Sequence, residues 1–203
     1  MWSAGAVTRP PIAMPDADAQ AEPVDESSLD AELMARAGEG DHRAFRELVE
    51  RHQHAVIGTV AKMLNDAAEA EDIAQQVFLR LWKHAKRYRP EAKFTTYLFT
   101  VTRNLVFNES RRRSRRKEVS VEERSESGQA EIPSNPDRQP DSTLLRGELQ
   151  QAVDRAIAAL PEAQRMAVVL RRYEQMPYED IAKVLDVTVP AVKSLLFRAR
   201  TAL

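Results

Sequence analysis

Residues 178–200 read Tyr178-Glu179-Asp180-Ile181-Ala182-Lys183-Val184-Leu185-Asp186-Val187-Thr188-Val189-Pro190-Ala191-Val192-Lys193-Ser194-Leu195-Leu196-Phe197-Arg198-Ala199-Arg200. This stretch predicts a helix, a tight turn and a second helix. Ile181, Ala182 and Leu185 share one face of the first helix by the i, i+3, i+4 spacing. Asp186-Val187 makes the turn, Thr188 is suited to cap the second helix, and Pro190 falls in a first turn whose amides need no partner. In the second helix Val192, Leu196, Ala199 and Leu203 recur on one side and are expected to face inward. Lys193, Ser194, Phe197, Arg198 and Arg200 fall on the other. A solvated helical hairpin is the plainer alternative. It gives no reason for an exposed cationic face that also shows Phe197, whereas a DNA recognition helix does.

Outward from this hairpin the chain reads as helical throughout. It has 203 residues, 30% charged, 43% apolar and 6% aromatic, enough for one large domain or two small ones. The net charge is −1, so any nucleic-acid binding rests on local charge. The absence of Cys excludes disulfides, thiolate metal sites and a thiol redox sensor. No apolar run is long enough to span a bilayer and no secretory signal is seen, so a cytoplasmic protein without membrane insertion is expected. The four His residues have no ligand spacing with carboxylates, so neither a metal site, a cofactor nor a catalytic residue is expected.

Residues 1–28 are rich in Ala, Pro, Asp and Glu and are expected to be a disordered acidic tail. Ser28 or Asp30 could cap a first helix through Ala37, ended by Gly38 and Gly40. Asp41 caps a second, striped by Ala44, Phe45, Leu48, Val49, Val56, Ile57 and Val60 to Leu64. Asn65-Asp66 breaks it. A third helix runs from about Ala67 to Tyr88 before Pro90, and a fourth from Phe94 to about Arg113. Residues 118–141 carry three prolines and little apolar material, so they read as a flexible linker. Helices resume near Ser142, with a stripe of Leu145, Leu149, Val153, Ile157 and Leu160, and Pro161 opens another. The fold class expected is all-α: two small helical domains, 29–117 and 142–203, joined by the linker.

Two further stretches exceed ordinary packing. In residues 72–82 Ile73, Val77, Phe78 and Leu81 form a buried stripe. Asp72, Gln75, Gln76, Leu79 and Arg80 share the opposite face, a mixture suited to a protein contact. Residues 94–117 place Tyr97, Arg103, Asn104 and Asn108 ahead of a run holding six cations in seven residues, Arg111 and Arg112 among them. Aromatic faces, amides and guanidiniums together suit unstacked bases and their phosphates. The run is expected to need an anion nearby.

These three stretches resemble, in this order, the motifs of the extracytoplasmic-function group of sigma-70 family RNA polymerase sigma factors. Residues 72–79 resemble the core-polymerase-binding helix, and Phe94-Thr95-Thr96-Tyr97-Leu98 through Arg103-Asn104-Leu105 the promoter-melting segment. Leu160-Pro161-Glu162 and the hairpin resemble the minus-thirty-five-binding domain. The resemblance implies docking on the largest-subunit clamp through Asp72, Gln75, Gln76 and Leu79, and on the flap. It implies a melted minus-ten strand held by Tyr97, Arg103, Asn104, Asn108, Arg111 and Arg112. It implies a minus-thirty-five duplex read by Lys193, Ser194, Phe197 and Arg198, with Arg171, Tyr178 and Glu179 assisting. A monomer when free, an anti-sigma partner and no covalent chemistry are implied too. Gln76 stands where Glu is usual, Tyr97 for Trp, Asp186 for Gly, and Ala191 and Leu195 for Thr and Arg. The alternative is a dimeric helix-turn-helix regulator that never enters polymerase and binds a palindrome.

Overall fold

The computed structural model describes residues 26–123 and 142–203. Most of the expected tail and linker therefore lies outside the described residues. Among the described residues every long element is a helix: α1 Glu26–Gly38, α2 His42–Leu64, α3 Ala67–His84, α4 Phe94–Glu123, α5 Ser142–Ala159, α6 Glu162–Arg172, α7 Tyr178–Leu185 and α8 Val189–Ala202.

Local chemistry sets most boundaries. The Asp41 carboxylate accepts from the amides of Arg43 at 2.9 Å and Ala44 at 3.1 Å, so it caps α2. Asn65 ends α2 in the left-handed region (φ 53°), and Asp66 starts α3 by accepting from the Glu69 amide at 3.1 Å. Gly38 closes α1 against the turn Ala85–Arg87, where a Cβ would stand 2.9 Å from the Ala85 carbonyl oxygen.

Two expectations are corrected. α1 begins at Glu26, so Ser28 and Asp30 lie inside it rather than capping it. Asp30 is buried at 2% exposure and accepts from Arg51 Nε at 2.9 Å, with His52 Nε2 at 2.8 Å. A carboxylate partnered by a guanidinium and an imidazole can be buried where an unpaired one cannot. α4 continues past Arg113 to Glu123, since no Gly or Pro interrupts it there.

The core is one contiguous set of buried side chains. In the first half it holds Leu33, Met34, Leu48, Val60, Val77, Leu81, Phe94 and Leu98; in the second, Met166, Val169, Leu170, Ile181, Val184 and Val192. α1 to α4 form one packed group and α5 to α8 the other, with α2 also meeting α5 and α6, and α4 meeting α7.

Candidate functional site

The outer face of α3 follows from its inner one. Ile73, Ala74, Val77, Phe78 and Leu81 are buried, which turns Asp72, Gln75, Gln76, Leu79 and Arg80 to solvent. Leu79 is 57% exposed, a large apolar side chain among amides and charges. At the C-terminal end Trp82 stacks on His42 with ring centroids 4.7 Å apart and meets Phe45 at 5.0 Å. These rings join the end of α3 to the first turns of α2.

On α4, Phe94, Thr96, Leu98, Phe99, Thr102, Leu105 and Val106 point inward. Asn104, Asn108, Arg111 and Arg112 are exposed, while Tyr97 and Arg103 are half-buried. The Tyr97 ring lies 5.3 Å from that of Tyr88, and burial pushes its phenol pKa up, so it stays neutral. Arg103 Nε donates to the Val184 carbonyl of α7 at 2.9 Å, and its guanidinium lies 5.8 Å from the Phe107 ring centre.

The arginine run finds part of its anion within the protein. Arg112 pairs with Glu109 at 2.8 Å and Glu69 at 3.7 Å. Arg113 pairs with Asp66 at 2.9 Å and with Glu69, and donates to the Leu64 carbonyl at 3.1 Å. Glu109 is on α4 itself, whereas Glu69 and Asp66, which the sequence does not point to, come from α3 and its cap, over 40 positions away. Arg111, Arg115 and Arg116 are exposed.

In the second half α7 ends at Asp186 in the left-handed region (φ 57°, ψ 50°), which Asp tolerates better than most residues. The Thr188 hydroxyl accepts from the Ala191 amide and Pro190 sits in the first turn of α8. Val192 and Ala199 are buried, whereas Lys193, Ser194, Phe197, Arg198 and Arg200 are exposed, Phe197 at 72%. Leu203, expected inside, is 56% exposed, just past the last residue of α8. Val153 is also exposed, at 39%. Both line a groove of about 730 Å³ with Ile157, Val168, Arg172 and Leu196. Arg171 donates to the Met176 carbonyl at 3.0 Å and lies 5.1 Å from the Tyr178 ring centre, which joins these two assisting residues; Glu179 is exposed beside them.

The two halves also touch. The Thr59 hydroxyl donates to Glu174 Oε1 at 3.1 Å, and Lys62 lies 3.8 Å from Asp154 and 4.2 Å from the Tyr173 ring centre. Arg165 donates to the carbonyls of Met63 at 2.5 Å and Leu160 at 3.0 Å, and to that of Ala158. Lys93 lies 3.6 Å from Asp180. Burial pushes the Glu174 carboxyl pKa up, against the opposing pull of the Thr59 hydroxyl, His52 and Lys62.

Among the described residues no group of three or more His, Asp or Glu could hold a metal ion, and no helix is long and apolar enough to cross a membrane. Residues 48–116 match the family model for sigma-70 region 2, and residues 150–203 that for sigma-70 region 4. The chain is 34% identical over 177 residues to the RNA polymerase sigma-H factor of Pseudomonas aeruginosa, covering 86% of this chain and 91% of that one. It is 36% identical over 185 residues to the ECF RNA polymerase sigma-E factor of Escherichia coli K12, covering 88% and 94%. The chain belongs to the extracytoplasmic-function group of sigma-70 factors. As a sigma factor it directs RNA polymerase to promoters. A dimeric regulator would leave the region 2 match over 48–116 without a role. The fold agrees: CnrH, solved with the cytosolic domain of CnrY, superposes with a TM-score of 0.63 at 24% identity, over 86% of this sigma factor and 94% of CnrH. The sigma factor RpoE of Bartonella quintana, solved with the anti-sigma factor NepR, gives 0.59 at 22%, over 78% and 92%.

Proposed function

We propose that this sigma factor divides its work among three helical faces. The outer face of α3, with Asp72, Gln75, Gln76 and Leu79, docks on the clamp of the polymerase largest subunit. Region 2 holds the melted minus-ten strand, with Tyr97 stacking, Asn104 and Asn108 reading base edges, and Arg103, Arg111 and Arg112 meeting phosphates. The α8 face reads the minus-thirty-five duplex in the major groove through Lys193, Ser194, Phe197 and Arg198. Arg171, Tyr178 and Glu179 steady the protein beside it. The observation that carries this reading is the exposed side of each helix. Where the opposite side packs into the core, these faces still present Leu79, Phe197, amides and arginines to solvent.

The sigma factor adds no covalent chemistry in this reading; phosphodiester bonds are made by the polymerase. It acts as a cytoplasmic monomer that also meets the polymerase flap through region 4. An anti-sigma protein restrains it, the kind of partner with which the Bartonella quintana fold neighbour is solved. The test is fluorescence anisotropy on a fork-junction promoter library with and without core polymerase. Sequence-selective binding that needs polymerase is expected. Tight polymerase-independent binding to a palindromic duplex would refute the proposal.

A further inference from the structure

Two arginines of the cationic run on α4 lie against carboxylates. Arg112 Nε lies 2.8 Å and its Nη2 2.9 Å from the Glu109 carboxylate, with Glu69 at 3.7 Å. Arg113 reaches Asp66 at 2.9 Å, Glu109 at 3.9 Å, and Glu69. Three carboxylates against two guanidiniums leave this cluster a formal charge of −1. Among the described residues no carboxylate pairs with Arg111, Arg115 or Arg116, all of which are exposed.

Burial sorts the two signs. Glu109 is 8% exposed, whereas the Arg112 side chain is 54% exposed. The anion lies behind the guanidinium, and the guanidinium faces solvent. A strand phosphate and Glu109 compete for the same donors, since both are oxyanions that take a guanidinium through paired N–H groups. Glu109 stands three residues from Arg112 on the same helix, so its effective concentration is high.

We propose that Glu109, with Glu69 beside it, is an internal counterion that takes the place of a DNA phosphate. It withholds Arg112 from the melted minus-ten strand, so the strand is held by fewer cations than the run contains. The inference rests on the minus-ten reading above and narrows it. Arg112 meets a phosphate only in exchange for Glu109, whereas Arg111, Arg115 and Arg116 need no exchange. The carboxylates therefore set a ceiling on strand affinity, and they make the grip less sensitive to salt than the number of arginines implies.

Glu109→Gln keeps the shape and an oxygen acceptor for Arg112, and it takes the cluster from a formal −1 to 0. The full-length protein, saturated with core polymerase, is titrated with a fork-junction promoter carrying a single-stranded minus-ten element. Fluorescence anisotropy over a series of KCl concentrations gives affinity against salt. One added phosphate contact on a single strand steepens the slope of log K against log salt by about 0.7, or about fivefold in affinity at about 0.1 M salt. Glu109→Gln should show that gain, and Glu69→Gln a gain in the same direction. Adding Arg112→Gln to Glu109→Gln should cancel it, because the released guanidinium is gone. Urea unfolding checks that each variant keeps its fold. Wild-type slope and affinity in both Glu109→Gln and Glu69→Gln overturn the counterion and leave the pairs as struts between α3 and α4. A gain that survives Arg112→Gln overturns it too. A holoenzyme without minus-ten selectivity in any variant refutes the proposed function and this inference with it, so the two failures are distinguishable.

Discussion

Replacing Leu79 by Ser tests whether the exposed face of α3 is a docking surface. Leu79 is 57% exposed, so the substitution should change folding stability by no more than about 0.5 kcal/mol. Fully burying a Leu side chain is worth about 1.5–3 kcal/mol, and burying the 57% that is exposed here about 0.9–1.7 kcal/mol. At about 1.4 kcal/mol per tenfold, Leu79→Ser should weaken core-polymerase binding roughly 4–18-fold. Competition against labelled wild type for core polymerase measures this, and urea unfolding checks that the fold is unchanged. Polymerase affinity within twofold of wild type, with normal unfolding, would refute the docking role of this face.

Other perturbations separate folding from recognition. Asp30→Ala strips Arg51 and His52 of a shared buried partner. Both are partly solvated, so the loss should fall near 2–3 kcal/mol, below the full penalty for a broken buried pair, read as a lower urea midpoint. Asp186→Val puts a β-branched residue in the left-handed region and should lose about 1–2 kcal/mol in thermal unfolding, while Asp186→Gly should lose none. Phe197→Ala should leave the melting temperature unchanged, because the ring is 72% exposed, and weaken binding to a minus-thirty-five-dependent promoter roughly tenfold or more. Stability should also depend on pH. Glu174 holds its proton to higher pH in the folded protein than in the unfolded chain, so the folded form binds more protons there. Stability from this group therefore rises as pH falls through the raised pKa and is lower above it. Glu174→Gln should flatten that part of the pH dependence of the urea midpoint. Asp30, His52, Lys62 and Asp154 remain in the variant, so the difference between the two curves belongs to Glu174.

The helices were legible wherever their ends are decided within a few residues. Asp41, Asn65-Asp66 and Thr188 cap or break the chain through their own side chains and dihedrals, and the amphipathic stripes of α3 and α8 separate core from exposed face. What stayed hidden was set by tertiary approach. Asp30 looked like a cap because neither Arg51 nor His52, about 20 positions on, signals a buried triad by spacing. Arg112 and Arg113 looked free for nucleic acid because the approach of Glu69 and Asp66 depends on how α3 packs on α4. Leu203 fitted the apolar period of α8, but periodicity does not say which positions of a stripe are covered.

The joint between the regions has an asymmetry in how it can be lost. Arg103 and Arg165 hold main-chain carbonyls, those of Val184 and Met63, rather than side chains. Most substitutions at positions 184 or 63 retain the acceptor oxygen, whereas a change at 103 or 165 removes the donor. Sequence drift can therefore erase these two contacts mainly from one side, and compensating pairs of changes, the usual trace of a side-chain contact, are not expected at either. The side-chain pairs Thr59–Glu174 and Lys93–Asp180 are where such paired change should concentrate.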